Sequence, residues 1–297
     1  MSQKITKAIV AAAGFGTRFL PQTKAMPKEM LPIIDKPVIQ YIVEDLVEAG
    51  IQDIIIVTGY TKRNIEDHFD SPNQDLLNNL IASGPSKKHY IDELNKIANL
   101  ANFAYVRQKG PYGTATPIVN ASHLIGNEPF IYTFADDLIV SKKNHFKQMI
   151  DLYEKFGCSV LPCVEIDRDE DFDKYGIIAG QTISEGVTKI NQIIEKPGRA
   201  NAPSNLASVV GYLLTPDVFK YLKTANFNPD NNKEFFVTSY LIEPMIKDGL
   251  NVYGLNIHDS TRYDTGNVVS YIKTVIDFAL LRPDLSNEIK EFIKSKI

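Results

Sequence analysis

The sequence predicts an α/β protein built on a largely parallel sheet, and three observations support this prediction. A short apolar strand, residues 8–10, runs directly into a loop that contains two glycines. An amphipathic helix begins at Lys36-Pro37 and stops at Gly50, with apolar residues at helical spacing between them. A continuous apolar strand follows at residues 53–58. Strand, helix and strand in this order are typical of parallel strands that are buried on both faces.

The later elements continue this alternation and then become richer in strands. Helical residues extend from about 64 to 101 with two breaks, and further helices are expected after residues 215–217, at about 236–248 and from about 264 onwards. Strands are expected at 102–107, 129–134, 158–166, 176–182, 188–194, 206–214 and 250–256. No linker is long enough to separate two independent domains, so we expect a single domain over residues 1–297.

The composition limits the kinds of partner that this protein can bind. The 297 residues carry a formal net charge of −4 at pH 7, and a negative field disfavours nucleic acid and anionic membrane surfaces. No apolar run reaches the roughly 18 residues of a membrane span, and no apolar signal region precedes the first strand. We therefore expect a cytoplasmic protein in which Cys158 and Cys163 are buried free thiols on opposite faces of one strand.

The loop after the first strand combines glycines with hydroxyl and basic side chains: Gly14, Gly16, Thr17, Arg18, Lys24 and Lys28. It is not a dinucleotide-binding fingerprint, because Phe19 stands where a third glycine would be needed and Pro21 follows. The string of a Walker P-loop occurs nowhere in the chain. Backbone N–H groups and several cations suit a nucleoside triphosphate, so we interpret this loop as a phosphate cradle.

Two more polar segments follow predicted strands. A second glycine-containing loop, residues 108–114, comes after the strand at 102–107, and Asp136 and Asp137 come after the strand at 129–134. Because open α/β sheets bind ligands at the carboxyl ends of their strands, we expect the second loop and the first loop to face one crevice. The two aspartates could otherwise be a solvated strand end.

Five strings carry a resemblance to a known family: residues 12–18, 27–32, 194–197, 202–207 and 264–267. In order and over nearly the whole chain they resemble the sugar-1-phosphate nucleotidylyltransferases, and within that family the bacterial UTP:glucose-1-phosphate uridylyltransferases. The resemblance implies a Rossmann-like, mixed and mostly parallel sheet flanked by helices, with a smaller strand-rich sugar-binding part. It divides the domain into a nucleotide-binding half at about 1–140, a sugar-binding half at about 141–265 and a C-terminal helical region at about 266–297.

The resemblance also implies a reaction and its participants. The phosphate of glucose 1-phosphate attacks the α-phosphorus of UTP in line, giving UDP-glucose and pyrophosphate with the help of Mg²⁺. The substrates are small molecules, and a homodimer or larger homo-oligomer is compatible with the apolar positions of the last helices. Uracil and thymine share the edge that an amide side chain reads, so a thymidylyltransferase would fit as well. An enzyme for a different sugar 1-phosphate and a catalytically silent regulatory protein that binds nucleotide sugars are also compatible with these motifs.

Residue roles follow from the same resemblance. The implied catalytic residues are Arg18, Lys28, Asp136 and Lys196. The implied nucleotide-binding residues are Ala12, Ala13, Gly14, Gly16, Thr17, Arg18, Lys28, Gln108 and Gly113, and those that bind the sugar phosphate are Gly176, Glu195 and Lys196. Asp136 and Asp264 are the implied Mg²⁺ ligands, in keeping with the preference of Mg²⁺ for oxygen donors. Without the resemblance, Asp264 could be a helix N-cap, and Glu195 with Lys196 an exposed ion pair.

Overall fold

The computed structural model of this protein describes residues 3–225, 227 and 234–296. The strands are β1 (Lys7–Ala12), β2 (Pro32–Ile33), β3 (Lys36–Pro37), β4 (Asp53–Thr58), β5 (Asn102–Arg107), β6 (Phe130–Phe134), β7 (Asp137–Ser141), β8 (Ser159–Glu165), β9 (Gly176–Ser184), β10 (Val187–Glu195), β11 (Leu206–Ser208), β12 (Gly211–Leu214), β13 (Val252–Asn256) and β14 (Ser260–Asp264). The helices are α1 (Val38–Glu48), α2 (Arg63–Phe69), α3 (Gln74–Ala82), α4 (Lys88–Ala98), α5 (Thr116–Ile125), α6 (His145–Phe156), α7 (Asp169–Phe172), α8 (Val218–Thr224), α9 (Glu243–Lys247), α10 (Val268–Leu281) and α11 (Ser286–Lys294).

The first half of the chain builds the parallel part of a ten-stranded sheet. Strand β1 lies between β4 and β6 and is parallel to both, and β5 continues the parallel order on the far side of β4. Ala12 at the end of β1 pairs with Thr58, and Thr58 pairs with Arg107, so these three strands end at the same edge. The two glycine-containing loops therefore leave the sheet at the same edge, with β4 between their strands, as the sequence predicts.

The second half of the chain contributes antiparallel pairings. Strand β12 joins the parallel part through β6, and the order continues β8, β13, β10, β9 and β11. Because β11 also pairs with β8, five strands close into a ring: β8, β13, β10, β9 and β11. The sheet is thus mixed, which confirms the predicted α/β class, and the strand-rich second half matches the expectation.

Two apolar clusters cover the two faces of the sheet. Along β4, Ile54 and Ile56 belong to one cluster, whereas Ile55 and Val57 belong to the other. A continuous apolar strand is buried on both faces in this way because helices pack on each side of a parallel sheet. The two thiols follow the same division, with Cys158 in the first cluster and Cys163 in the second. Both are free and buried, which confirms the prediction, and burial raises the pKa of Cys158 to about 12.

The sequence predicts neither α5 nor α6, and two further differences from the predicted elements stand out. Residues 206–214 form two strands, because the chain bends at Val210, whose φ of 66° lies in the left-handed region. The Val210 carbonyl accepts hydrogen bonds from the Phe134 amide and the Thr133 hydroxyl, which ties the bend to β6. The second difference is an antiparallel ribbon of β7 and β14 that the sequence did not indicate. Asp264 ends this ribbon, so α10 begins four residues later, at Val268, with Asn267 as its N-cap.

Among the helices of residues 3–225 and 234–296, none combines the length and the apolar character needed to cross a bilayer.

Candidate functional site

The carboxyl ends of the parallel strands open into a cleft of about 430 Å³, here called the first cleft. Its lining includes Gly14 and Lys28 from the first loop, Gln108 and Gly113 from the second, and Asp136 after β6. The expectation of one shared crevice is therefore confirmed. Of the remaining predicted nucleotide-binding residues, Ala13 lines the cleft. Ala12 has its side chain in the core, which leaves only its backbone for a ligand.

The first loop folds back on itself so that a lysine lies against a glycine. A Cβ atom added to Gly14 would be 3.5 Å from Lys28 Nζ, and one added to Gly16 would be 3.1 Å from Lys28 Cβ. The Thr23 hydroxyl donates a 2.7 Å hydrogen bond to the Gly16 carbonyl, which closes the loop. Small residues at 14 and 16 thus allow a cation to approach the backbone N–H groups that follow β1. Thr17 and Arg18 form a single exposed turn beside this point.

Lys28 pairs with Asp136 across the end of the sheet. Lys28 Nζ donates a 2.6 Å hydrogen bond to Asp136 Oδ2, and about one fifth of each side chain is exposed. Burial alone would lower the pKa of the Lys28 ammonium, but the carboxylates of Asp136 and Glu29 outweigh it and raise that pKa. Lys28 therefore stays charged, as a group that stabilises phosphate must.

A buried ion pair lies directly behind Lys28. Lys62 Nζ donates to both carboxylate oxygens of Glu29, at 2.7 and 2.6 Å, and both side chains are almost fully buried. Burial raises the pKa of the Glu29 carboxyl and lowers that of the Lys62 ammonium. The pair connects the turn that carries Lys28 to the start of α2. No local pattern in the sequence indicates this ion pair.

Asp136 and Asp264 converge on one point although they are distant in the chain. A Cβ atom added to Gly266 would be 2.9 Å from Asp264 Oδ1, 3.3 Å from Asp136 Oδ2 and 3.6 Å from Arg18 Nη1. The backbone N–H and the hydroxyl of Thr265 both donate to the Asp136 carbonyl, at 3.1 and 2.7 Å. Two carboxylates and a guanidinium therefore meet where β6 ends. They also line a second cleft of about 920 Å³, which adjoins the first at Asp136.

The two neighbouring aspartates have different surroundings. Asp137 is bound through both oxygens by Arg262 and has only 13% of its side chain exposed. Neither aspartate is a solvated strand end. Asp264 is not the N-cap of α10, because the Asn267 side chain accepts the hydrogen bond from the Ser270 amide.

The carboxylates fit a hard divalent cation. Asp136 and Asp264 offer oxygen donors at one point, and no third His, Cys, Asp or Glu joins them among residues 3–225 and 234–296. Mg²⁺ typically binds to one or two carboxylates and takes its remaining ligands from phosphates and water. The donor set is therefore suitable for a cation that arrives with a phosphorylated substrate.

The second loop is held against the segment before α9. The Phe235 amide donates to the Tyr112 carbonyl and the Ala115 amide donates to the Phe235 carbonyl, both at 2.8 Å. Gly113 lies between these bonds with a φ of 127°, and a Cβ atom there would be 2.3 Å from Phe235 N. Only glycine fits this position, so the geometry gives a structural reason for the residue that the resemblance singled out.

The predicted sugar-phosphate residues form a separate group where β9 begins and β10 ends. Gly176 pairs with Glu195, and the Thr238 hydroxyl donates to Glu195 Oε2. Burial raises the pKa of the Glu195 carboxyl above its ordinary value. Lys196 has a left-handed φ of 49°, and its ammonium lies 4.3 Å from the centre of the Phe236 ring. Glu195 and Lys196 are therefore not paired with each other as an exposed ion pair, and neither lines the first or the second cleft.

Comparison with known proteins gives a consistent result. A model of the Nucleotidyl transferase family matches residues 7–279. A UTP–glucose-1-phosphate uridylyltransferase of Staphylococcus epidermidis is 44% identical over 292 residues, which are 98% of each chain. A crystal structure of a UDP-glucose pyrophosphorylase complexed with UDP-glucose superposes with a TM-score of 0.82 at 40% identity, over 94% of this chain and 100% of that one.

A further solved structure extends the comparison to the nucleotide. It is a UTP-bound enzyme of the same kind from Acinetobacter baumannii, 30% identical, with a TM-score of 0.82 over 98% of this chain and 99% of that one. The resemblance stated from the sequence is thereby confirmed. This chain is a nucleotidyltransferase and belongs to the nucleotidyl transferase family, among relatives named UTP–glucose-1-phosphate uridylyltransferases.

Proposed function

We propose that this protein transfers the uridylyl group of UTP to glucose 1-phosphate, giving UDP-glucose and pyrophosphate. The observation that carries this proposal is the meeting of Lys28, Asp136, Asp264 and Arg18 at the ends of β1 and β6. Cations and metal-binding carboxylates at one point suit a reaction between two phosphorylated molecules. The relatives named for this reaction match nearly the whole length of the chain.

The reaction requires charge compensation more than covalent chemistry. A phosphate oxygen of glucose 1-phosphate forms a bond to the α-phosphorus of UTP, and the bond to the bridging oxygen breaks, so that pyrophosphate leaves with the electron pair. Two like unit charges about 4 Å apart repel by roughly 4 kcal/mol at an effective dielectric of 20. Lys28 and Arg18 would reduce this repulsion on the triphosphate, and Lys196 would do so on the sugar phosphate.

Lys28 can serve both the free and the bound state. Without a substrate its ammonium neutralises Asp136 at 2.6 Å. When a triphosphate binds over Gly14, the same ammonium can donate to phosphate oxygens instead, because it already lies against that glycine. The Lys28 ammonium would thus have an anionic partner both with and without bound substrate, so it would not become an isolated buried charge.

Asp136 and Asp264 would hold Mg²⁺. The family generally uses a divalent metal ion. We propose magnesium because the site offers carboxylate oxygens and the proposed substrates carry phosphates. Bound there, Mg²⁺ would neutralise phosphate oxygens and favour departure of pyrophosphate. The protein's own contribution is to fix the two carboxylates through Thr265 and the β7–β14 ribbon.

Recognition of the base and the sugar is assigned to two different loops. The Gln108 amide offers a donor and an acceptor to the uracil edge from the wall of the first cleft. Glu195, half-buried beside Gly176, would accept hydrogen bonds from sugar hydroxyls. Lys196 would exchange its contact with Phe236 for the phosphate of the sugar.

Release of pyrophosphate from a panel of nucleoside triphosphates and sugar 1-phosphates tests the proposal. We expect turnover with UTP and glucose 1-phosphate that needs Mg²⁺ and is abolished by a chelator. Strong turnover with dTTP and little with UTP would reject the uridylyl assignment, and turnover with another sugar 1-phosphate alone would reject glucose. No turnover with any pair would overturn the proposal as a whole.

A further inference from the structure

A buried arginine connects the two parts of the candidate site. Arg262 donates to Asp137 Oδ1 through Nε at 2.9 Å and to Oδ2 through Nη2 at 2.7 Å. Its remaining terminal nitrogen, Nη1, donates to the Tyr175 hydroxyl at 2.7 Å. Only 17% of the arginine side chain and 13% of the aspartate side chain are exposed. The guanidinium thus uses all three of its nitrogens, in a geometry that a lysine could not reproduce.

One end of this network determines where the two carboxylates lie. Asp137 directly follows Asp136, and Arg262 precedes Asp264 by two residues on β14. In the ribbon Asp137 pairs with Asp264, so the bidentate bond spans the two strands at the end that carries both carboxylates. A change in the register or the separation of these strands would move the two carboxylates relative to each other.

The opposite end of the network leads to the sugar-phosphate residues. The Tyr175 ring lies against the guanidinium, with a distance of 4.4 Å from the ring centre to the guanidinium carbon. The Tyr175 carbonyl accepts a 3.1 Å hydrogen bond from the Lys196 amide, and Gly176 is the next residue. Arg262 therefore contacts Asp137, the neighbour of Asp136, at one end. At the other end it contacts Tyr175, the neighbour of Gly176.

We propose that Arg262 is a positioning residue that sets the two carboxylates through Asp137 and the predicted sugar-phosphate residues through Tyr175. This inference rests on the proposed function, since it assigns the two groups the roles given above. In-line attack needs the donor and the acceptor phosphates at a defined separation, and small displacements of positioning groups lower rates strongly. Residues that orient metal ligands typically change metal affinity or activity by about tenfold to a hundredfold when they are altered.

The first test separates positioning from general stability. Asp137→Asn keeps the shape of the side chain but replaces one of the two accepting oxygens with an NH2 donor, so the two-oxygen contact with the guanidinium is lost. Mn²⁺ is titrated calorimetrically into protein saturated with UDP-glucose, and we expect its dissociation constant to rise at least about tenfold in this variant. Arg262→Lys should show the same change and serves in place of Asp137→Asn if that variant does not fold.

The matched control lies at the opposite end of the same ribbon. Lys142 and Asp259 form an exposed ion pair there, at 3.2 Å. Asp259→Asn removes the charge, and asparagine tolerates the left-handed φ of 49° at this position. We expect Mn²⁺ affinity within about twofold of the original protein. Equal effects of Asp137→Asn and Asp259→Asn, or no effect of either, would overturn the proposal.

The second test examines the branch that leads to the sugar phosphate. Tyr175→Phe removes only the hydroxyl that accepts the hydrogen bond from Arg262. We expect KM for glucose 1-phosphate to rise about tenfold while Mn²⁺ affinity and KM for UTP stay within about twofold. An unchanged KM for glucose 1-phosphate, or a parallel loss of Mn²⁺ affinity, would contradict the two-branch assignment. Absence of turnover in the unaltered protein would instead count against the proposed function, so the two failures are distinguishable.

Discussion

Replacing Gly113 by alanine should damage the second loop in a way that can be worked out from its contacts. The added Cβ atom would lie 2.3 Å from Phe235 N and 2.4 Å from Phe235 O, which is far inside contact distance. The loop must therefore move away, and the two 2.8 Å hydrogen bonds between Phe235 and residues 112 and 115 would be lost. At about 0.5–1.5 kcal/mol each, this loss amounts to about 1–3 kcal/mol.

Gly110 provides the control within the same loop. It has a φ of 107°, so alanine there suffers a comparable backbone penalty, about 1–2 kcal/mol. Its added Cβ atom would meet only Thr116 Cγ2, at an ordinary 3.7 Å. We therefore expect Gly113→Ala to lower the free energy of unfolding by about 1–3 kcal/mol more than Gly110→Ala.

Urea unfolding at 25 °C measures the difference in stability, and pyrophosphate release measures the effect on function. Because Gly113 and Gln108 share the wall of the first cleft, KM for UTP should rise more in Gly113→Ala than in Gly110→Ala. Equal free energies of unfolding for the two variants would refute the reasoning, since it would mean that the contact with Phe235 does not decide the loop's position.

Three further predictions concern single side chains. Asp136→Asn should lower kcat at least about a hundredfold in the pyrophosphate assay, because it removes a proposed metal ligand; a near-native kcat would disprove this role. Lys62→Met leaves Glu29 buried without a partner and should lower the free energy of unfolding in urea by about 3–5 kcal/mol; a loss below about 1 kcal/mol, roughly that of an exposed pair, would contradict it. Burial lowers the pKa of His145 from 6.5 to about 3. Between pH 6.5 and about 3 the unfolded chain therefore binds a proton at His145 that the folded protein does not bind. This difference should lower the free energy of unfolding by about 1.4 kcal/mol for each unit that the pH falls within that range. His145→Leu should lack this slope in urea titrations at several pH values.

Local patterns were sufficient to predict the parallel half of the sheet. Strand β4 and helix α1 carry uninterrupted or amphipathic apolar runs that end at glycines, and such signals depend on neighbouring residues only. The shared crevice followed from chain order, because parallel strands bring their carboxyl ends to one edge. The proposal of Asp264 as a metal ligand came from the resemblance and not from any local pattern.

Features that depend on distant contacts were not predictable from the sequence. Strand β14 is mostly polar, and its partner β7 lies more than a hundred residues away, with 125 positions between Asp137 and Arg262. From the sequence, Asp137 receives no role of its own, whereas the structure shows it as half of a largely buried ion pair. The left-handed Val210 also lacks a local signal, since β-branched residues rarely adopt that conformation. Its bend is imposed by hydrogen bonds to β6.

The β7–β14 ribbon has a consequence for how the protein is made. Strands β1, β4, β5 and β6 are synthesised first and contact one another, so a growing chain can assemble the walls around the first loop early. Asp136 meets Asp264 only after the ribosome has translated β14. A nascent chain that stalls before this point would therefore present the first loop and Asp136 without Asp264, so the proposed pair of metal-binding carboxylates would form only late in biosynthesis.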